Sequence, residues 1–243
     1  MLIRNACLSI DLLGHWITRL QFKGKHFIFP RQEIIYEMGN IKMRGGSHPC
    51  FPVFGKAPSD FPDLPQHGWL RDQDATLTRL SPSGVKSWSQ IGGTQSYPWR
   101  IGCITNFEIS DNVLTIQYVL NRLDNLTDKA PFNLGLHHYW VNPKGMETNL
   151  GFSDPHDTFR GTLNPARKFP WSEANGPVEL EILGIGKVEM SMESEGDHQT
   201  IVWSDNEKFL CVEQAIDKPD KFGKSSGLHL DSKFSAKFIL EFE

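Results

Sequence analysis

No stretch of the 243-residue chain is apolar over the length of a membrane span, and Met1-Leu2-Ile3-Arg4 does not open a run of signal-peptide length. Positive charge is not in excess either: 25 Lys and Arg stand against 29 Asp and Glu, for a formal net charge of -4. Nucleic-acid binding needs clustered cations to neutralise phosphates. The densest basic run, Lys218 to Lys224, follows Asp217 and is broken by Asp220. The expectation is a soluble cytoplasmic protein with neither nucleic acid nor membrane as partner. Cysteine is scarce. Cys7, Cys50, Cys103 and Cys211 are far apart and form no C-x-x-C pair, which argues against zinc clips and a disulfide framework. Their apolar neighbours predict buried thiols in a reducing compartment. No H-x-H or H-E-x-x-H occurs. A metal site built from His48, His67, His137 and Glu213 is a competing account without supporting spacing. No metal and no cofactor are expected.

Helical periodicity is also missing. The 21 glycines and 15 prolines are spread throughout, and no window carries an i, i+3, i+4, i+7 apolar stripe. Two-residue alternation takes its place. Cys103, Thr105, Phe107 and Ile109 share one face of a strand, Asp111-Asn112 makes a turn, and Leu114, Ile116, Tyr118 and Leu120 share one face of the next. The pattern returns in Val178, Leu180 and Ile182, in Val188, Met190 and Met192, and in Phe234, Ala236, Phe238, Leu240 and Phe242. Leu8, Ile10 and Leu12 begin an opening meander, with a turn at Lys23-Gly24-Lys25. Strands with one apolar and one polar face predict an all-β fold, a large antiparallel β-sandwich forming a single domain over residues 1–243.

Two stretches are expected to lie outside the strands. Lys42 to Asp72 holds five prolines and four glycines, too many breakers for a regular element. Ser81 to Ser96 is polar and rich in Ser and Gly, which reads as a surface loop.

Four segments carry chemistry, and each alone also has a plain structural explanation. Arg44-Gly45-Gly46 is a turn with a surface arginine, or a close backbone approach with an anion or hydroxyl clamp. His67-Gly68-Trp69-Leu70-Arg71-Asp72 puts an imidazole, an aromatic plane and a guanidinium within six residues. That set suits a polyol, with Trp69 stacking on a sugar face, or is a loop with a buried tryptophan. Pro131 to Trp140 reads P-F-N-L-G-L-H-H-Y-W. Strand geometry sends His137 and His138 to opposite faces, so at most one serves a given site. Phe209-Leu210-Cys211-Val212-Glu213 ends an apolar run on a carboxylate. Desolvation would raise its pKa and make it a base near neutrality; the alternative is a strand-end glutamate reaching solvent.

Taken in order, R-G-G…C-F-P-V-F-G, H-G-W-L-R-D, P-F-N-L-G-L-H-H-Y-W and F-L-C-V-E resemble the aldose 1-epimerase (galactose mutarotase-like) superfamily. The resemblance is nearest to the hexose-6-phosphate mutarotase branch and extends over nearly the whole chain. Gly14 to Leu20, Phe27 to Pro30 and Gly227 to Glu243 are similar as well. The resemblance implies a β-sandwich isomerase that interconverts the α and β anomers of a hexose or hexose 6-phosphate. It implies His137 as general acid on the ring oxygen and Glu213 as general base on the C1 hydroxyl. His67 would orient the sugar, and Arg44 and Arg71 would lie at the phosphate end. Asp154 and Asp157 are the nearest counterparts of the family's hydroxyl-binding aspartate. The partner would be a small sugar or sugar phosphate, and the protein a monomer or weak dimer. His48 and Gln214 depart from the pattern, as does Trp69 where phenylalanine is usual. A non-catalytic sugar-binding or sugar-sensing protein on the same fold is the alternative.

Overall fold

Alternating apolar side chains become strands wherever the opposite face can be solvated or covered, and the computed structural model of this chain is built almost wholly that way. It describes residues 1–35, 39, 41–142, 148–152, 159–161, 177–182, 184–203 and 208–243. Strands are numbered β1 to β21 in chain order. One sheet runs β1 (Leu2–Arg4), β2 (Leu8–Leu13), β3 (Trp16–Phe22), β7 (Ser47–Cys50), β13 (Leu134–Val141), β19 (Phe209–Ile216), β18 (His198–Trp203), with β4 (Lys25–His26) beside β3. The other runs β15 (Phe159–Gly161), β14 (Thr148–Phe152), β16 (Val178–Ile182), β17 (Gly186–Glu193), β21 (Lys233–Phe242), β11 (Val113–Arg122), β10 (Arg100–Ser110), β9 (Gly84–Gly92), β8 (Thr76–Ser81). Two short pairs complete the set, β5 (Gln32–Ile35) with β6 (Ile41–Arg44) and β12 (Ala130–Pro131) with β20 (His229–Leu230). No helix among the described residues is long and apolar enough to cross a membrane.

The expected hairpin is present. β10 and β11 pair from Ile101↔Arg122 to Ser110↔Val113, and Asp111 takes the left-handed backbone of the turn (φ 50). Cys103, Thr105, Phe107, Ile109, Leu114, Ile116, Tyr118 and Leu120 are all buried, as the alternation predicts. One apolar cluster draws on both sheets, with Ile10, Leu136, Trp140 and Val212 from one and Phe107, Tyr118, Phe238 and Leu240 from the other. Each such side chain contributes about 1.5–3 kcal/mol on burial. A one-residue slip would turn a strand's whole apolar set outward, so the core fixes the registers.

Three expectations need correction. Lys42 to Asp72 is not free of regular structure: it contains part of β6 and all of β7, and β7 lies mid-sheet between β3 and β13. A proline is tolerated there because β3 pairs with β7 only at Ile17↔Ser47, before Pro49, while β13 carries the ladder from Ser47 to Cys50. Ser81 to Ser96 is not a loop, because β9 occupies its middle. Val85, Ser87, Ser89 and Ile91 face inward, and the small serines leave room for a buried histidine. That histidine is His15, whose Nδ1 lies 2.8 Å from Thr105 Oγ1 and whose Nε2 lies 2.8 Å from Ser89 Oγ. Cys7 is exposed, whereas Cys50, Cys103 and Cys211 are buried as expected; none of the four is in a disulfide.

Burial pushes several imidazoles down. His15 is lowered to about 4 and His138 to about 3, both by desolvation. An unfolded chain takes up protons on these rings near pH 6.5, while the fold leaves them neutral. Stability therefore falls as pH drops from about 6.5 to about 4, by about 1.4 kcal/mol per pH unit for each such ring. Urea midpoints measured from about pH 7 to about pH 5 should shift downward, and His138→Gln should flatten the slope. A midpoint that does not move over this range would show that the rings are not held neutral.

Candidate active site

Strands β7, β13 and β19 are neighbours, and both inner strands are buried along almost their whole length. Alternation then sorts their side chains. His138 and Trp140 turn to the core, where their rings lie 5.2 Å apart and His138 Nδ1 is 2.8 Å from Ser47 Oγ. His137 and Tyr139 turn to the other face and stack on each other, with centroids 4.5 Å apart and planes 13° apart. The register pairs His137 with His48 on β7, and the two rings stack at 4.9 Å. On the other side, Leu136↔Gln214 and Tyr139↔Cys211 bring Glu213 alongside His137. His137 Nε2 lies 3.2 Å from Glu213 Oε1. A polar row of His48, His137 and Glu213 thus crosses three strands.

Two small apolar clusters border the row: Phe29, Tyr139, Phe209 and Cys211 on one side, and Cys50, Phe54 and Ala215 on the other. Gly135 makes the second possible. A Cβ there would sit 2.4 Å from the Phe54 ring, so only glycine lets that ring lie on the sheet. His67 arrives from the loop after β7 and its ring meets that of His137 edge-on at 5.1 Å. Its backbone is left-handed (φ 68), a costly state for a side-chain-bearing residue. The next residue, Gly68, shares it (φ 70), and a Cβ there would lie 2.2 Å from the Phe51 carbonyl oxygen. The Gly55 N–H donates to His67 Nδ1 at 3.3 Å, and Cys50 Sγ lies 3.1 Å from the same atom. A neutral His67 therefore keeps its proton on Nε2.

The structure brings His67, His137 and Glu213 together. Arg44 lies over the Trp203 ring at 5.6 Å, and that ring meets His137 edge-on at 5.9 Å. Arg71 Nε donates to Asp72 Oδ2 at 2.9 Å, and its charge reaches His48, His67 and His137. Trp69 packs against the main core and edge-on to Tyr97 at 5.9 Å. Asp154 and Asp157 lie outside the described residues. Tyr139, Trp203 and Cys211 were not anticipated. Tyr139 could have been found from its position two residues after His137, whereas Trp203 gives no signal before the β18–β19 pairing is known.

Burial governs the protons here. It holds His137 well below the usual imidazole range, helped by positive charge on His48, His67, Arg44 and Arg71. It holds Glu213 well above the usual carboxylate range. His48 is lowered by burial, then by Arg71 and His67, against a Pro49 carbonyl that raises it. His67 falls to about 3 through burial, Arg71 and Arg44. Both members of the His137–Glu213 pair are thus pushed to their neutral forms, so the pair holds one proton between them.

No protein-family model and no curated protein sequence matches the chain. Solved structures do. A protein of Synechocystis sp. PCC 6803 superposes with a TM-score of 0.74 at 16% identity, covering 100% of this chain and 94% of its own. The galactose mutarotase related enzyme of Lactobacillus acidophilus gives a TM-score of 0.72 at 14% identity, covering 100% and 97%. A galactose mutarotase-like protein of Lactobacillus casei ATCC 334 gives a TM-score of 0.70 at 15% identity, covering 100% and 99%. The fold is that of the galactose mutarotase-like proteins. At these identities the likeness concerns the mutarotase-like fold, and what this site does has to come from its own residues.

Gly135→Ala tests the packing behind the site. The added methyl should displace Phe54 and cost about 1–3 kcal/mol of stability in urea unfolding. An unchanged midpoint would mean that Phe54 does not press on the sheet.

Proposed function

We propose that this chain is an aldose 1-epimerase, interconverting the α and β anomers of a hexose or hexose 6-phosphate by acid–base ring opening. What carries the reading is the His137–Glu213 contact of 3.2 Å, a buried acid–base pair that holds a single proton. Glu213 as carboxylate takes the proton of the C1 hydroxyl while His137 as imidazolium gives one to the ring oxygen. The bond from C1 to the ring oxygen breaks and C1 becomes an aldehyde. Rotation about C1–C2 and reversal of the steps on the other face give the second anomer. No net proton, metal or nucleotide is consumed. In the free protein the two groups bond each other, so a bound sugar takes the place of that contact. The charge-separated form that starts the reaction lies one proton transfer from the neutral pair. His67, with Nε2–H as donor, is the residue to orient the sugar.

A freshly dissolved single anomer, followed by NMR, tests this directly. Glu213→Gln and His137→Asn should each lower the catalysed rate by about 10²–10⁴-fold. The parent rate should stay level across neutrality. It should fall on the acid side below about pH 6.5, where a second proton must enter a pair that burial and nearby positive charge disfavour. It should fall again on the alkaline side, at a pH above the usual carboxylate range, when Glu213 and His137 lose their last proton. If both variants keep the parent rate, the assignment is wrong.

The direct contact also lends itself to a second reading, sugar binding without turnover, in which acid and base satisfy only each other. Saturable binding of a hexose with no anomer exchange would select it. The phosphate question has a separate test. With hexose 6-phosphate, Arg71→Ala should raise KM by about 10-fold or more, the worth of a charge-assisted hydrogen bond, and leave the unphosphorylated sugar nearly unaffected. An equal effect on both sugars would remove the phosphate from the reading.

A further inference from the structure

The polar row has a ligand set that acid–base chemistry alone does not use. One ring nitrogen of His137, Cys211 Sγ and one carboxylate oxygen of Glu213 lie within 4.8 Å of one another, and all three residues are buried. Imidazole, thiolate and carboxylate are the donors that a borderline-soft divalent cation prefers, and alkaline-earth ions do not take this set. The His137–Glu213 edge suits a small tetrahedral ion, and Cys211, within the 4.8 Å limit of the set, has to close in on it. Ligands at about 2.0–2.3 Å from Zn²⁺ stand about 3.3–3.6 Å apart. His137 Nε2 and Glu213 Oε1, at 3.2 Å, are already at such an edge. With Nε2 facing Glu213, His137 Nδ1 is buried without a hydrogen-bond partner and keeps the ring proton when Nε2 binds the cation.

The three side chains are held by backbone pairing rather than by loop geometry. Cys211 and Glu213 are two residues apart on one face of β19, and His137 and Tyr139 face them from β13 through the Tyr139↔Cys211 register. His48 and His67 stand beside the set but bond elsewhere through Nδ1, to the Pro49 carbonyl and the Gly55 N–H. Three protein ligands leave a fourth position for water or a further ligand.

We propose that His137, Cys211 and Glu213 form a binding site for a thiol-seeking divalent cation of the Zn²⁺ class, and that its occupation blocks the proton exchange between His137 and Glu213. Binding displaces the thiol proton of Cys211 and the proton shared by the pair. The site goes beyond the epimerase reading and can exist without it, since the cation is detected without any sugar.

The test uses the full chain titrated with Co²⁺ alone. One Co²⁺ per chain should give a near-ultraviolet thiolate-to-cobalt band with the intense visible bands of four-coordinate cobalt, and Zn²⁺ should displace it. Cys211→Ser should abolish the near-ultraviolet band, with Cys211→Ala in its place if the serine variant does not fold. Cys7→Ser, which alters the exposed thiol, should keep it. A band that is absent from the parent, survives loss of Cys211 or disappears with Cys7 overturns the site. In the anomer-exchange assay Zn²⁺ should slow the parent at least about tenfold at saturation. Cobalt binding with undiminished exchange would overturn the block while leaving the metal site. Cobalt binding in a chain without any exchange would refute the epimerase reading and not the metal site.

Discussion

Two antiparallel strands from distant parts of the chain hold a histidine and a glutamate 3.2 Å apart in a setting almost without water. The proposed chemistry depends on that contact. A charged pair in so dry a place is penalised at both ends, and a neutral pair is not. The result is a single proton held between two groups that can exchange roles. The same contact gives the acid and base of the proposed reaction and two of the ligands of the proposed cation site.

Dryness is maintained by the two apolar clusters beside the polar row. Tyr139 covers one side of His137, and Phe54 on Gly135 walls the other side of the row. Each added positive charge in this neighbourhood, on Arg44, Arg71 or a protonated His67, pushes His137 further toward neutrality. The buried imidazoles also make the fold sensitive to acid, so the polar groups that serve the site weaken the structure that holds them. One strained residue lies at the same place, the left-handed His67 whose backbone brings its ring against His137.

Much of this was legible from residue order alone. The β10–β11 hairpin followed from alternation on both sides of Asp111-Asn112, because a two-residue period has only one buried face to offer. The same rule separated His137 from His138. Strand β7 was not legible: four residues with a proline carry too little pattern, and their place in the sheet comes from β13. Strand β9 was hidden because its inward face uses serines, and only His15, seventy-odd residues earlier, explains how they are satisfied. On its own segment Glu213 read better as a strand end reaching solvent. Its actual place in the middle of β19 depends on which strands flank it.

By itself the sequence determined the strand-by-strand alternation and the all-β class, because these rest on local period; the short list holding His67, His137 and Glu213 came with the resemblance carried by the four segments in order. Only the tertiary structure decided that His137 meets Glu213 directly, that His48 stacks on the same ring, that Trp69 packs on Tyr97 and that Cys211 joins the pair. Those facts arise from strand neighbours and registers fixed by burial of the whole core, which no local stretch of chain encodes.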